Sequence, residues 1–294
     1  MATGQAAAAA GMAAAAATAR PVMLQHAMAV LAVTAAFDPA TPNVARIYDH
    51  LLGGMDAFPA DRTEAGRLLA IYPPLRDMAR ENRAFVAEAT AWAAGQGISQ
   101  FIDLGAGLPA SPSVHQAARA VIPTARVAYV DIDAVVLSHA RALLATGDGV
   151  TAVAADLRDP QAVFTNPELR EVIDPARPVC VILGSVLHFM DAGAARAVTA
   201  GYARLMAPGS CLVISVACFD DQALAKQLAA EYTAADWHNH SAADVASFFA
   251  GLEMAGPGVG EAHTWRSWQS EPVFRRRDGH VLAGVARRRA VCDA

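Results

Sequence analysis

Between Ser99 and Asp220 the hydrophobic pattern switches repeatedly between short apolar runs and longer helical periods. This alternation constrains the fold more than any other feature of the chain. "SQFIDLG", "ARVAYVDID", "VTAVAADLRD", "PVCVILGSVLHFM" and "CLVISVACFD" read as buried strands. "SPSVHQAARAVIP", "AVVLSHARALLATG", "PQAVFTNPELREVI" and "AGAARAVTAGYARLMAPGS" lie between them and read as helices, the first starting near Ser111. Apolar strands separated by helices predict an α/β fold, with a parallel sheet covered on both faces. Such sheets bind ligands beyond the carboxyl ends of their strands, at the point where strand order reverses.

The flanks have a different character. Residues 42–94 read as three helices. "VARIYDHLLGG" is ended by Gly53 and Gly54, "DRTEAGRLLAIYP" has Asp61 as its cap, and "LRDMARENRAFVAEATAWAAGQG" follows. After the fifth strand, "QALAKQLAAEYTAAD" and "SAADVASFFAGL" are helical. "EMAGPGVGEAHTWRSW" and "HVLAGVARRR" are strand-like and joined through "RRRDG", which predicts an antiparallel pair at one sheet edge. The predicted organisation is an Ala-rich low-complexity extension (1–40), a helical cap segment (41–97) and an α/β domain (98–290). The extension has no basic residue before Arg20, unlike the start of a secretory signal. "VMLQHAMAVLAVTAAF" is interrupted by Gln25 and His26 and falls short of the roughly 20 apolar residues of a membrane span, so no membrane association is expected. A net charge of −5 argues against a nucleic-acid partner. The four cysteines form no C-x-x-C pair, and Cys180 and Cys211 sit in apolar runs. They read as core thiols in a reducing compartment, which predicts a cytoplasmic protein.

The turn after the first strand, "FIDLGAGLP", is where a ligand is expected. Gly105 and Gly107 let backbone approach it closely. Gly105-x-Gly107-x-x-Ala110 formally satisfies a dinucleotide pattern, which leaves an NAD-linked oxidoreductase as one alternative. Asp103 argues against it, because a carboxylate there repels a pyrophosphate and attracts an ammonium. Pro109 and Pro112 also remove amide donors that a pyrophosphate could use. An ammonium without a phosphate describes S-adenosylmethionine. Asp131 ends the second strand and can accept both ribose hydroxyls, which NAD and S-adenosylmethionine share. Asp156 ends the third and is placed to accept from an adenine amine.

Several stretches carry a resemblance: "PNVARIYDHLLGGMDAFPADR", "ENRAF", "FIDLGAGLP", "YVDIDAVVLSHARALL", "ADLRDP", "VLHFM", "MAPGS" and "GPGV". Over about Pro42 to Arg288 the chain resembles class I S-adenosylmethionine-dependent methyltransferases, and more closely the S-adenosyl methyltransferase family of high-GC bacteria. "GAGLPA" stands where that family often has a threonine-bearing "GTGLPT". The resemblance implies a Rossmann-like class I fold with seven strands, mostly parallel and with the last pair antiparallel, preceded by a helical cap. It makes residues 98–290 the cofactor-binding domain. It implies cofactor contacts from Asp103, Gly105, Ala106, Gly107, Asp131, Ile132, Asp156, Leu157 and the "GSVLHF" loop with Ser185 and His188. Tyr48, Gly53, Gly54 and Asp56 are expected to close over the cofactor.

Methyl transfer from a sulfonium is an in-line displacement, so positioning and water exclusion dominate and a base serves only an acceptor that must lose a proton. His188 is the candidate for that catalytic role. "ADWHNHS" offers Asp236, His238 and His240, and "HTWRSW" offers His263, Trp265, Arg266 and Trp268, as edge packing or as an aromatic acceptor-pocket wall. No Ser-His-Asp order, P-loop or zinc pattern appears, and no metal is expected. The expected activity is methylation of a small-molecule acceptor in specialised metabolism. A non-catalytic regulatory protein that keeps the cofactor site is the other alternative.

Overall fold

All five residues of β1 (Gln100–Leu104) are buried, as expected of a strand covered on both faces. The computed structural model describes residues 38–256, 258–267 and 278–289. β1 pairs in parallel with β2 (Arg126–Asp131), and β2 with β3 (Val150–Ala154). On its other side β1 pairs with β4 (Cys180–Gly184), which pairs with β5 (Cys211–Phe219), all still parallel. β6 (Glu253–Met254) and β7 (Gly260–Glu261) both lie antiparallel on the long last strand β8 (Gly279–Arg287), which runs antiparallel to β5. The order is β3-β2-β1-β4-β5-β8-β6, with β7 also on β8. Among the described residues the sheet therefore has eight strands, one more than the resemblance implies, because the chain touches β8 twice before becoming it. Strand order reverses between β1 and β4, so the switch point lies at the carboxyl end of β1.

Side chains of β1 alternate between two cores. Phe101 joins Phe85, Val86 and Ala89 on one face, while Ile102 and Leu104 join Leu169, Tyr202 and Phe248 on the other. The first face is covered by α1 (Val44–Leu52), α2 (Pro59–Ile71) and α3 (Leu75–Gly95). α3 buries Met78, Ala79, Asn82, Phe85, Val86, Ala89, Thr90 and Ala93, a stripe at three- and four-residue spacing. Each fully buried large side chain of this kind contributes roughly 1.5–3 kcal/mol. Then come α4 (Val114–Arg119), α5 (Ala134–Leu143), α6 (Pro160–Thr165), α7 (Pro167–Val172), α8 (Ala192–Leu205), α9 (Gln222–Glu231) and α10 (Ala242–Ser247).

Four expectations about elements need correction. α2 begins at Pro59 rather than after Asp61: proline is preset for a first helical position, and Asp61 instead accepts the Phe58 N–H at 2.7 Å. The first crossover helix begins at Val114, with Ser113 as its cap, because Pro109 and Pro112 hold the preceding chain out of helical geometry. The expected single helix over residues 160–173 is two, because Pro167 cannot donate to the ladder and Asn166 caps the second piece. "HTWRS" is a 3-10 helix, Ala262–Ser267, not a strand. Trp265 is buried there, edge-on to Phe85 at 5.3 Å and Trp92 at 6.0 Å, so core packing sets the local conformation. Residues 1–37, Pro257, Trp268, the three arginines 275–277 and Cys292 lie outside the described residues. Among the described residues no helix is long and apolar enough to cross a membrane, and Cys180, Cys211 and Cys218 are free and buried.

Candidate active site

The glycine turn is pinned to the end of β2. Gly105 and Ala106 donate their N–H groups to the Val130 carbonyl at 2.9 and 3.2 Å, and Gly107 donates to Asp131 Oδ2 at 3.0 Å. Gly105 and Gly107 hold φ of 66° and 64°, a region that favours glycine. At Gly105 there is also no room, since a Cβ would lie 2.6 Å from Val186 Cγ1 and 3.3 Å from Leu157 Cδ2.

Asp103 sits just below this turn, opposite Tyr129 on β2 and Ile182 on β4. It is 5% exposed, and among the described residues its carboxylate makes no hydrogen bond and no ion pair. Burial pushes its pKa up to about 6, with Asp131 adding to the rise and the Arg83 guanidinium opposing it. A buried carboxylate without a partner is costly and marks a functional site. Tyr48 reaches the same region from α1. Its hydroxyl donates to Ala79 O at 3.1 Å and accepts from Asn82 Nδ2 at 2.6 Å, while Ser215 Oγ donates to Asn82 Oδ1 at 2.5 Å. This chain of bonds ties α1 and α3 to β5, and burial raises the Tyr48 pKa.

Asp131 has one backbone donor on each oxygen: Gly107 N–H on Oδ2 and, at 2.9 Å, Asp133 N–H on Oδ1. An ionised carboxylate has about four acceptor positions, so one remains open on each oxygen. Burial again raises its pKa. The next residue, Ile132, is 69% exposed, a large apolar side chain left bare beside a polar cleft. Asp156 is in a different state. Arg158 chelates its carboxylate, with Nε at 2.9 and 3.0 Å and Nη2 at 2.6 Å, and adds its backbone N–H at 2.8 Å. Leu157 accepts the Tyr202 hydroxyl on its carbonyl at 2.9 Å and turns its side chain to Gly105.

Beyond β4, Ser185 is the one described non-glycine residue with positive φ, 57°, a strained conformation that clusters at functional sites. His188 follows in the 3-10 turn Leu187–Phe189. It is 4% exposed, stacks on Trp237 at 4.6 Å and contacts Phe189 at 4.3 Å. Its Nδ1 is buried without a hydrogen-bond partner. Burial, and then His240, depress its pKa to about 3. It is therefore neutral at pH 7 and accepts a proton poorly. The "HNH" loop serves packing: His238 N–H donates to His188 O at 2.8 Å, and His240 Nε2 donates to Leu187 O at 3.1 Å.

The turn after α1 lies at the β2 side of the site. Gly53, at φ 93°, caps α1, and a Cβ on Gly54 would collide with the Asp49 carboxyl at 2.0 Å. Asp56 faces His139 of α5 at 4.0 Å, and Asn43 Nδ2 donates to Asp133 Oδ2 at 2.6 Å. Two polar contacts thus moor α1 and its turn to the segment directly after Asp131.

A family model described as S-adenosyl methyltransferase matches residues 31–289. The chain belongs to the S-adenosyl methyltransferase family. A crystal structure of a candidate methyltransferase from Thermobifida fusca is 35% identical, with a TM-score of 0.79 over 85% of this chain and 96% of that one. A DUF574 family protein from Streptomyces avermitilis is 33% identical, with a TM-score of 0.78 over 85% of this chain and 99% of that one. No curated protein matches. The methyltransferase uses S-adenosylmethionine as methyl donor. The residues at the carboxyl ends of β1 and β2 suit that molecule: an unpartnered buried carboxylate for an ammonium, a half-satisfied one for a ribose diol, and a bare Ile132 for a planar base. Sequence reasoning missed Asn82, Arg83 and Ser215. The signal for Asn82 was present, since it is a polar residue inside the apolar stripe of α3.

Proposed function

We propose that the methyltransferase acts on a small-molecule acceptor in the cytoplasm, as part of specialised metabolism. Asp103 holds the ammonium of the donor, Asp131 its ribose hydroxyls, and Ile132, Leu157 and Asp156 its adenine. The observation that carries this reading is Asp103, a carboxylate buried to 5% exposure with no partner of its own. Unpaired, buried Cys180, Cys211 and Cys218 support the compartment and a net charge of −5 supports a non-nucleic-acid acceptor. When bound, the cofactor supplies a methyl group already activated on a sulfonium. The chain's residues then have to orient and to exclude water. Gly105, Ala106 and Gly107 bring backbone against the ligand, and Tyr48, Gly53, Gly54 and Asp56 close it from the α1 side. Ser185 shapes the opposite wall. His188, neutral and buried, orients through packing rather than accepting a proton. Calorimetric titration with S-adenosylhomocysteine tests the reading. Saturable binding to the folded chain is expected, and a heat trace without saturation overturns it.

A further inference from the structure

Asp103, Asp131 and Asp156 assign the donor to the ends of β1, β2 and β3. The parallel sheet's carboxyl edge continues through β4 and β5, and a cluster of aromatic rings stands there. His188 and Phe189 follow β4, Phe219 ends β5, and Tyr232 and Trp237 come from the end of α9 and the loop after it. Trp237 stacks on His188 at 4.6 Å with 28° between the planes, and its ring lies 5.4 Å from Tyr232, 6.1 Å from Phe219 and 6.3 Å from Phe189. Phe189, Phe219, Tyr232 and Trp237 pack against the same core as Phe101 and Tyr129. Asp103, two residues after Phe101 on β1, shares that face of the sheet. The loop that carries Trp237 is tied at both ends. Glu64 Oε1 accepts the N–H groups of Thr233 and Ala234 at 2.7 and 3.1 Å, and Asn239 exchanges two hydrogen bonds with the Phe219 backbone at 2.8 and 2.9 Å.

The polar atoms of these rings are idle. Trp237 Nε1 and His188 Nδ1 are buried and have no hydrogen-bond partner. Among the described residues the Tyr232 hydroxyl makes no hydrogen bond either. A buried indole N–H or phenol normally finds a partner. Aromatic walls with a few polar groups to fix orientation are the pattern of a small-molecule site. Phe189 and Trp237 are half-buried, so the cluster reaches the surface. The chemistry that fits is narrow. An indole N–H only donates, and a phenol hydroxyl can also donate, so a cation there would meet the positive ends of their dipoles. Glu64, bonded to the residue after Tyr232, disfavours an anion.

We propose that His188, Phe189, Tyr232 and Trp237 form the acceptor site, and that the acceptor is a flat, uncharged aromatic ring bearing an oxygen, to which the Trp237 N–H and the Tyr232 hydroxyl donate. The inference rests on the reading that the donor occupies the ends of β1 to β3, since that leaves the β4–β5 edge to the acceptor. Offset stacking on the aromatic walls holds the ring, and the two donors set which way it points.

Calorimetric titration of the full chain, with S-adenosylhomocysteine absent and then saturating, uses three probes. Naphthol is flat and carries the oxygen, decahydronaphthol keeps the oxygen without the flat ring, and N-methylquinolinium is a flat cation. Wild type should bind naphthol saturably, and the other two about fivefold or more less tightly. Trp237→Phe keeps a ring and removes the N–H. It should bind naphthol about three- to tenfold more weakly and S-adenosylhomocysteine as wild type does, and Tyr232→Phe should behave alike. A naphthol trace without saturation, equal affinity for either of the other probes, or wild-type affinity for naphthol in both variants overturns the proposal. Should neither variant fold, the ranking of the three probes on wild type decides alone. Failure of S-adenosylhomocysteine to bind refutes the donor reading instead, and the probes titrated in its absence still judge the ring cluster.

Discussion

The carboxyl ends of β1 and β3 present the same residue type in opposite states. Asp103 at the end of β1 is nearly inaccessible, unpartnered, and shifted up to a pKa of about 6. Asp156, just after β3, is partly exposed, chelated by Arg158 two residues on, and shifted down, the Arg158 bond being the largest cause. Both read alike as strand-end acids in the sequence. The difference teaches that an acid's value to a ligand lies in what the fold withholds from it. β1 is central, with strands on both sides, and the one basic group felt at Asp103, Arg83 of α3, forms no ion pair with it among the described residues. β3 is an edge strand, and the loop after it is free to fold back on its own aspartate.

The largest expected effect therefore belongs to Asp103. Asp103→Asn should weaken S-adenosylhomocysteine binding by about a hundredfold or more, the scale for removing one partner of a buried, hydrogen-bonded charge pair. The same change should stabilise the ligand-free protein. A folded-state pKa raised by about two units corresponds to roughly 3 kcal/mol of penalty on the ionised form. That penalty is absent below about pH 4, where the carboxyl is protonated folded and unfolded, grows through about pH 6, and is constant above it. Urea denaturation at pH 8 should thus show the Asn variant more stable than wild type, with the gap closing at pH 4. Wild-type affinity should rise with pH up to about 6 and then level off, while the Asn variant stays flat. Equal stability of the two proteins at pH 8 would refute the idea that Asp103 is held ready for a cation.

How far the sequence could be read follows from the same contrast. Buried strands and their crossover helices were legible because a two-faced core needs uninterrupted apolar runs, and Phe101, Ile102 and Leu104 divide between the two cores as that pattern demands. The turn was legible because Gly105 has no room for a Cβ. What was illegible depends on tertiary neighbours. The Arg158 that chelates Asp156 stands two residues away in the sequence, but nothing local says that Asp103 meets no one. Nothing in "HTWRSW" says that Trp265 packs on Phe85 of a helix far away in the chain, which overrides the strand-like alternation. His188 looked like a base because it follows a strand at the ligand edge. Its burial, which with His240 depresses its pKa, is completed by Trp237 and His240 from a loop about fifty residues later.

Asp131 should come second. Asp131→Ala should weaken S-adenosylhomocysteine binding more than tenfold, because the ribose loses its charge-assisted acceptor, a net loss on the order of 1.5–3 kcal/mol. It should weaken methylthioadenosine by the same factor, since the nucleoside is common to both, whereas Asp103→Asn should leave methylthioadenosine nearly unchanged. The ligand-free variant should also be destabilised by about 1 kcal/mol in urea, because Gly107 and Asp133 lose the acceptor of their N–H groups. A selective loss for S-adenosylhomocysteine would place Asp131 at the amino-acid end and undo the division between β1 and β2.

The smallest effect is expected at Asp156. Its chelation by Arg158 lies at the surface, where such a pair is screened and contributes little, so Asp156→Asn should change stability by less than about 0.5 kcal/mol. An asparagine still offers one acceptor to an adenine amine, so affinity for either ligand should fall by no more than about threefold. Arg158→Ala sharpens the point. If Arg158 competes with the adenine for the carboxylate, its removal should tighten binding of both ligands by a similar small factor, and the double variant should behave as Asp156→Asn alone. If instead Asp156→Asn costs as much as Asp131→Ala, the two strand ends are equivalent after all. Arg158 must then release Asp156 on binding, so that the difference between a withheld partner and a supplied one belongs to the ligand-free state only.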